Sequence, residues 1–252
     1  MHVFVLKGDF AKLDSALPLL FELGAQGLEE KPGEVWAYFP ERVQLPLAGD
    51  WRELPEENWL ESWKRGLKPV AAGPFVVLAP WHDWSGTERR IILEPGMAFG
   101  TGHHETTKMA LEALASEDLS GKRLLDLGSG SGILAIAAAK LGAIALGVDI
   151  DPNAVSAARD NARRNRVNLE FRQGSLEAAD PPYDLLVANL YAELHAQLAP
   201  DYARSLAPGG RALITGILAE REETAAQAMQ RAGFRQIGRR QQGEWVLLGY
   251  EK

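Results

Sequence analysis

The sequence predicts an α/β fold with a mostly parallel sheet that ends in an antiparallel hairpin, preceded by a small α+β domain. From about residue 111 onward, short apolar runs alternate with helical segments, which is typical of βα units. Two later apolar runs, 234–237 and 245–250, are separated only by a polar stretch and predict the hairpin. A different pattern, strand–helix–strand–strand, occupies the first 56 residues.

The small domain, residues 1–56, begins with a predicted strand at 3–6 and a predicted helix at 14–23, which ends at a glycine. Two more strands are predicted at 25–31 and 34–39, on either side of a Pro-Gly turn. This order of elements is similar to most of a ferredoxin-like unit.

Residues 57–68 are predicted to form a connecting helix. Trp59 and Trp63 lie four residues apart and share one face of it. Aromatic side chains at this spacing are typical of a core, and a substrate-binding role is the alternative. The remaining residues, 69–252, hold short strands at 75–78 and 91–93. The strands of the main sheet are predicted at 123–127, 144–149, 168–172, 184–188 and 211–216.

Composition and charge exclude several classes of function. The chain has no cysteine, which rules out disulfides, thiolate metal sites and cysteine nucleophiles. No apolar run is long enough to span a bilayer, and no basic segment precedes an apolar one at the N-terminus, so we expect a cytoplasmic enzyme without membrane contact. The net charge of −7 argues against a large nonspecific nucleic-acid footprint.

The charge is concentrated at the beginning of the chain. Residues 1–57 hold five basic and eleven acidic residues, a balance of −6, whereas residues 58–252 have a balance of −1. An acidic surface of this kind attracts a basic partner. Ordinary solubility explains it equally well, and the sequence leaves both explanations open.

One glycine-rich turn predicts a nucleoside ligand. The run Asp126-Leu127-Gly128-Ser129-Gly130-Ser131-Gly132 follows a strand and precedes an Ala-rich helix. Glycines there let a ligand lie against the backbone at the carboxyl end of a parallel sheet. A second acid, Asp149, ends the next strand, where its carboxylate can accept hydrogen bonds from both hydroxyls of an adenosine ribose.

The spacing of this turn favours one adenosine ligand over another. The dinucleotide fingerprint has a third glycine where this chain has Ile133. A carboxylate at Asp126 would repel a pyrophosphate but attract the ammonium group of S-adenosylmethionine. The pattern therefore resembles the class I S-adenosylmethionine-dependent methyltransferases, which have a Rossmann-like sheet. A tight strand–helix connection without a ligand is the alternative.

A second unusual segment, residues 94–107, holds three glycines, two histidines and three threonines before a helix predicted to start at Lys108. This mixture suits a lid over a cofactor; simple capping of the helix by Thr106 or Thr107 is the alternative. The adjacent His103, His104 and Glu105 lack the spacing of metal ligands, and we expect no metal.

Asn189 follows the fourth predicted strand and faces the ligand crevice. Amino-methyltransferases often carry Asn-Pro-Pro-Tyr or a close variant here, in which the Asn carbonyl and a backbone carbonyl accept hydrogen bonds from an amine. This chain has Leu190 and Tyr191 instead of the proline pair, which weakens the similarity to enzymes that stack a flipped base. A turn residue without a ligand is the alternative role.

Taken together, these segments resemble the PrmA family, the ribosomal protein L11 methyltransferases, over essentially the whole chain. The run Gly-Met-Ala-Phe-Gly-Thr-Gly-His at 96–103 is the most specific of them. The resemblance implies multiple methylation of lysine side chains, and of the N-terminal α-amine, on a large-subunit ribosomal protein. It also implies that this protein docks on residues 1–56, and we expect a monomer without nucleic-acid specificity.

The resemblance also implies site residues. It places cofactor contacts at Thr107, Gly128, Asp149 and Asn189. The full set that we predict to bind S-adenosylmethionine, and its product S-adenosylhomocysteine, is Phe99, Gly100, Thr101, Thr107, Asp126, Gly128, Gly130, Asp149 and Asn189. The predicted catalytic residues are Asn189, which orients the amine, and His104, a candidate general base.

Three other functions compete with this one. A nucleic-acid amino-methyltransferase fits poorly with the acidic charge balance and the missing proline–aromatic pair. A nicotinamide oxidoreductase needs a different glycine spacing. A non-catalytic module that only binds S-adenosylmethionine would share the cofactor residues but transfer no methyl group.

Overall fold

The computed structural model describes residues 2–8, 19–20, 23–25, 27–53, 68–95, 102 and 104–252. The chain divides into two compact units, Met1–Lys68 and Pro69–Lys252. The predicted connecting helix with Trp59 and Trp63, and most of the predicted helix at 14–23, lie outside the described residues.

The first unit contains a four-stranded antiparallel sheet in the order β2-β3-β1-β4. Phe4, Leu6, Ala37 and Phe39 pack on one face together with Leu20. The strand β4 was missed from the sequence, because it is four residues long and forms through its pairing with β1. The ferredoxin-like arrangement stays a prediction. The strands are β1 (His2–Lys7), β2 (Gly27–Lys31), β3 (Glu34–Phe39) and β4 (Asp50–Glu53).

The second unit begins with a small sheet in the order β5-β6-β7. Its strands are β5 (Val70–Ala72), β6 (Phe75–Leu78) and β7 (Arg89–Ile92). Here β5 runs antiparallel to β6, and β6 runs parallel to β7. Asn165 ties this sheet to the rest of the unit, since its Oδ1 accepts the Ile92 N–H at 2.9 Å.

The main sheet of the second unit has seven strands in the order β10-β9-β8-β11-β12-β14-β13. The first five in this order are parallel, and β14 runs antiparallel to both of its neighbours. This confirms the predicted parallel sheet with a terminal hairpin. The strands are β8 (Arg123–Leu127), β9 (Ile144–Asp149), β10 (Glu170–Gln173), β11 (Tyr183–Asn189), β12 (Leu206–Leu218), β13 (Arg235–Gln242) and β14 (Trp245–Glu251).

Helices cover both faces of this sheet. Alternate strand residues point to opposite sides, so Leu124 belongs to one apolar core and Leu125 to the other. The first core packs against α1 (Glu105–Ala115), α2 (Ile133–Lys140) and α3 (Pro152–Arg164). The second packs against α4 (Ala192–Ser205) and α5 (Glu222–Arg231). None of the described helices is long and apolar enough to cross a membrane.

This topology determines where a ligand site can form. The strand order reverses between β8 and β11, because successive strands are added on one side of β8 and then on the other. Connections at such a point diverge and leave a crevice at the carboxyl ends of the strands. The residues that end β8, β9 and β11 therefore meet at the same edge of the sheet.

Candidate active site

The glycine loop after β8 needs its glycines for two physical reasons. Gly128, Gly130 and Gly132 have φ angles of 69°, 52° and 79°, in the left-handed region that favours glycine. A Cβ on Gly128 would also lie 2.7 Å from Cδ2 of Leu190, so the Leu190 side chain would have to move to admit it. The loop is therefore in direct contact with the tip of β11.

Hydrogen bonds from neighbouring elements fix the shape of this loop. The amides of Gly128 and Ser129 both donate to the Val148 carbonyl, at 2.9 and 3.0 Å. On the other side, Asn161 Nδ2 donates to the Ser131 carbonyl at 3.0 Å. The loop is thus preformed between β9 and α3.

Asp149 lies at the end of β9 and faces the glycine loop. Its Oδ2 accepts the Gly130 N–H at 2.8 Å, and its Oδ1 accepts the Asp151 N–H at 3.0 Å. A carboxylate has about four lone-pair positions, so two amide bonds leave it further acceptor capacity. The structure therefore brings Gly130 and Asp149 together, as the sequence predicted that two residues of one site would be.

Asp126, at the end of β8, has a hydrogen-bond partner within the protein, and its predicted role in cofactor binding stays a prediction. Its side chain is 1% exposed, and Oδ2 accepts the Ala135 N–H at 3.0 Å. Ala135 lies in the first turn of α2, whose N-cap residue is a glycine without a side chain, so Asp126 caps this helix from β8. The pKa of the Asp126 carboxyl is raised to about 7, and burial is the largest cause. The hydrogen bond from Ala135 acts in the opposite direction and lowers this pKa, whereas the negative charge of Asp149 raises it further.

Asn189 ends β11, half-buried beside the glycine loop. Its Nδ2 donates to Thr106 Oγ1 at 3.2 Å. This contact engages the amide nitrogen, so the carbonyl Oδ1 is the acceptor atom of the side chain. The structure thus joins Asn189 to the start of α1, a contact between residues 83 positions apart that the sequence did not reveal.

His104 has a structural role in this network. It is the N-cap of α1: its Nδ1 accepts the Thr106 N–H at 3.3 Å and lies 2.7 Å from Thr106 Oγ1. Its ring packs edge-on against Trp245, with 4.8 Å between centroids. The expectation that Thr106 or Thr107 caps a helix starting at Lys108 is wrong, since α1 starts three residues earlier and a histidine caps it. The general-base role of His104 stays a prediction.

Thr107 is buried in the first turn of α1, and its Oγ1 has no hydrogen-bond partner among the described residues. Ser129 Oγ in the glycine loop is in the same situation. A buried hydroxyl without a partner costs about 1–3 kcal/mol, so each of these two hydroxyls can gain from a polar group that binds beside it. Phe99, Gly100 and Thr101 lie outside the described residues.

Two exposed apolar side chains border the same edge of the sheet and were not singled out from the sequence. Ile150 directly follows Asp149 and is 74% exposed, and Tyr191 follows the Asn189-Leu190 tip and is 60% exposed. In the sequence, their positions just after the polar residues that end two strands could have identified them. In the described part of the chain, no group of three or more His, Asp or Glu side chains is placed to hold a metal ion.

Comparisons with known proteins agree with this architecture. Residues 29–252 match the family model described as "Ribosomal protein L11 methyltransferase (PrmA)". The chain is 60% identical to the ribosomal protein L11 methyltransferase of Thermus thermophilus, across 99% of both chains. The corresponding protein of Deinococcus radiodurans is 47% identical, across 98% of both chains.

A solved structure extends this agreement to three dimensions. The ribosomal protein L11 methylase of Lactobacillus delbrueckii subsp. bulgaricus is 30% identical and superposes with a TM-score of 0.65, over 70% of this chain and 92% of that one. The match by sequence covers nearly the full length of the chain. The chain belongs to the ribosomal protein L11 methyltransferase (PrmA) family.

Proposed function

We propose that this protein is an S-adenosylmethionine-dependent N-methyltransferase that methylates ribosomal protein L11. Family membership supports the reaction and the substrate. The observation that carries the proposal is the meeting of three strand ends, where the glycine loop, the Asp149 carboxylate and the Asn189 carbonyl share one crevice.

The described residues fit the proposed cofactor. The Asp149 carboxylate retains acceptor capacity for the ribose hydroxyls, and Ile150 offers an exposed apolar surface beside it for the adenine ring. The unpaired hydroxyls of Thr107 and Ser129 supply polar groups that a ligand can satisfy. When bound, S-adenosylmethionine supplies a methyl group that its sulfonium charge already activates.

The task of the protein is then to align and deprotonate the acceptor amine. Alignment comes from Asn189 Oδ1 and the adjacent Leu190 carbonyl, which can accept N–H bonds and point the nitrogen lone pair away from themselves. A lysine amine has a pKa of about 10.4 in water. Moving it from water into a closed crevice lowers that pKa, so desolvation favours the neutral nucleophile.

The finer details of the substrate follow from the same proposal. Methylation is multiple, on lysine side chains and on the N-terminal α-amine. Residues 1–56 form the substrate-recognition domain, 57–68 the linker and 69–252 the catalytic domain. The charge balance of −6 in residues 1–57 supports docking of a basic protein. The enzyme works as a cytoplasmic monomer, and its net charge of −7 disfavours direct nucleic-acid recognition.

Methyl transfer from labelled cofactor to L11, RNA and DNA, offered separately to the full-length protein, tests this proposal. We expect label in L11 alone. Label in RNA or DNA would favour a nucleic-acid amino-methyltransferase instead. Tight cofactor binding without transfer to any of the three would indicate a non-catalytic binding module.

A further inference from the structure

Beneath the Asn189 tip lies a buried polar chain that the proposed reaction does not use directly. Its members are Tyr202, His195, the Thr215 carbonyl and the Leu190 amide. The two side chains and Thr215 are buried, on α4 and β12. Most buried polar groups in proteins are hydrogen-bonded, and each bond of this chain can be assigned from the chemistry of its partners.

The Thr215 carbonyl determines which group donates in each hydrogen bond of the chain, because a carbonyl can only accept. His195 Nε2 lies 2.9 Å from the Thr215 carbonyl oxygen, which can only accept, so Nε2 carries the proton. His195 Nδ1 lies 3.0 Å from the Tyr202 hydroxyl, which then donates to it. Burial lowers the pKa of His195 to about 4, although hydrogen bonds with the backbone of Thr215 and Leu190 raise it. Burial raises the pKa of Tyr202, so both side chains are neutral near pH 7.

The Thr215 carbonyl connects this pair to the catalytic tip. It also accepts the Leu190 N–H at 2.9 Å, so one oxygen holds both His195 and the residue after Asn189. Gly216, the residue after Thr215, lies against the same strand tip, and its φ angle is +82°. A Cβ there would lie 2.8 Å from Asn189 Oδ1 and 2.6 Å from the Leu190 carbonyl oxygen.

The surroundings leave Thr215 little freedom to shift. Its own hydroxyl donates to the Val246 carbonyl at 2.9 Å, across to β14. The pairing of β12 with β14 changes register between Ile214 and Ile217, whereas its pairing with β11 continues through Thr215. The Thr215 carbonyl itself is held by two donors, the Leu190 N–H and His195.

We propose that His195, held as its Nε2–H tautomer by Tyr202, is a positioning residue that fixes the Thr215 carbonyl and through it the two carbonyls that orient the acceptor amine. His195 acts through Thr215 and Leu190 and does not touch the substrate. This inference rests on the proposed methyl transfer, because its effect is on the alignment of the amine. An error of about 1 Å in alignment can cost on the order of a hundredfold in rate, so a residue that holds the aligning carbonyls in place affects the rate.

The first test reads the tautomer in the wild-type protein. Long-range ¹H–¹⁵N correlation spectra of the full-length protein at pH 7 separate a protonated from an unprotonated ring nitrogen, and His195→Gln identifies the signals of His195 among the five histidines. We expect a neutral ring with the proton on Nε2. A proton on Nδ1, or a doubly protonated ring, would overturn the assignment. The tautomer is read in the wild-type protein and does not depend on methyl transfer.

The second test compares three variants in single-turnover methyl transfer to L11. His195→Leu removes the donor to Thr215, and we expect a rate about tenfold to a hundredfold lower, with the cofactor dissociation constant within about twofold of wild type. His195→Gln keeps one N–H donor and one acceptor, and should recover most of the rate. Tyr250→Phe is the matched control, since it removes a buried tyrosine hydroxyl that has no partner among the described residues.

The outcomes separate this inference from the proposed function. If His195→Leu is no slower than Tyr250→Phe, or if it loses cofactor binding in step with rate, His195 only packs the core and the positioning role is wrong. If the wild-type protein transfers no methyl group to L11, the proposed function is wrong, and the tautomer alone then decides whether the hydrogen-bond chain exists.

Discussion

Because the Asp126 carboxyl is buried, we expect its replacement to raise the stability of the protein, whereas most replacements of a carboxylate lower it. Asp126→Asn keeps a carbonyl oxygen that can accept the Ala135 N–H, at present 3.0 Å from Oδ2, and removes the group that ionises. Because burial raises the pKa of this carboxyl to about 7, the folded state disfavours its charged form. We therefore expect the substitution to stabilise the cofactor-free protein at alkaline pH.

The magnitude follows from the shift of this pKa. The folded pKa lies above the unfolded one, so the cost of ionisation is absent at low pH, where both states are protonated, and grows as pH rises toward the folded pKa. A shift from 3.8 to about 7 corresponds to at most about 4 kcal/mol above pH 7. Between pH 5 and pH 8 the advantage of Asp126→Asn should grow by about 2 to 3 kcal/mol.

Urea unfolding of the full-length protein at these two pH values measures this difference. Asp118→Asn, at an exposed position, is the control and should change stability by less than about 0.5 kcal/mol at both. An Asp126→Asn protein that is equally destabilised at pH 5 and pH 8 would refute the reasoning. Asp126 would then contribute through its bond to α2, without a penalty for its charge.

Three further predictions concern the crevice and the docking of L11. Asp149→Ala should weaken S-adenosylmethionine binding by about 1.5 to 3 kcal/mol, the scale of hydrogen bonds to a charged group; wild-type affinity in calorimetric titration would remove Asp149 from the site. Asn189→Ala should slow single-turnover methyl transfer more than it weakens cofactor binding, and the opposite pattern would contradict its role in orienting the amine. Raising the salt concentration should raise KM for L11 while the cofactor dissociation constant changes little, because only the docking relies on exposed charges; a KM that is independent of salt would argue against an acidic docking surface.

Local patterns in the sequence were enough to predict the catalytic sheet. Most of the parallel strands are apolar runs bounded by turn residues, and the two polar residues Asp149 and Asn189 lie at strand ends, as the pattern predicted. The strand β12 begins five residues before its predicted start, because pairing with neighbouring strands extends it through a Pro-Gly-Gly segment that reads as a turn.

The roles of individual polar side chains were harder to predict, because they depend on partners far away in the chain. The bond from Ala135 to Asp126, which caps a helix, was not evident from the sequence, and the predicted role of Asp126 in cofactor binding stays a prediction. The position of His104 as the N-cap of α1 was likewise not evident, and its predicted role as a general base stays a prediction. No role was predicted for His195, because nothing in its sequence spacing reveals its hydrogen bond to Thr215, 20 residues away.

The central claim is that the crevice at the ends of β8, β9 and β11 transfers methyl groups from S-adenosylmethionine to amines of L11. Mass spectrometry of L11, incubated with the full-length enzyme and cofactor carrying a deuterated methyl group, tests it most directly. We expect deuterated methyl groups on lysine side chains and on the N-terminal amine, strongly reduced with Asn189→Ala. Unmodified L11, or methyl groups on atoms other than these nitrogens, would contradict the account.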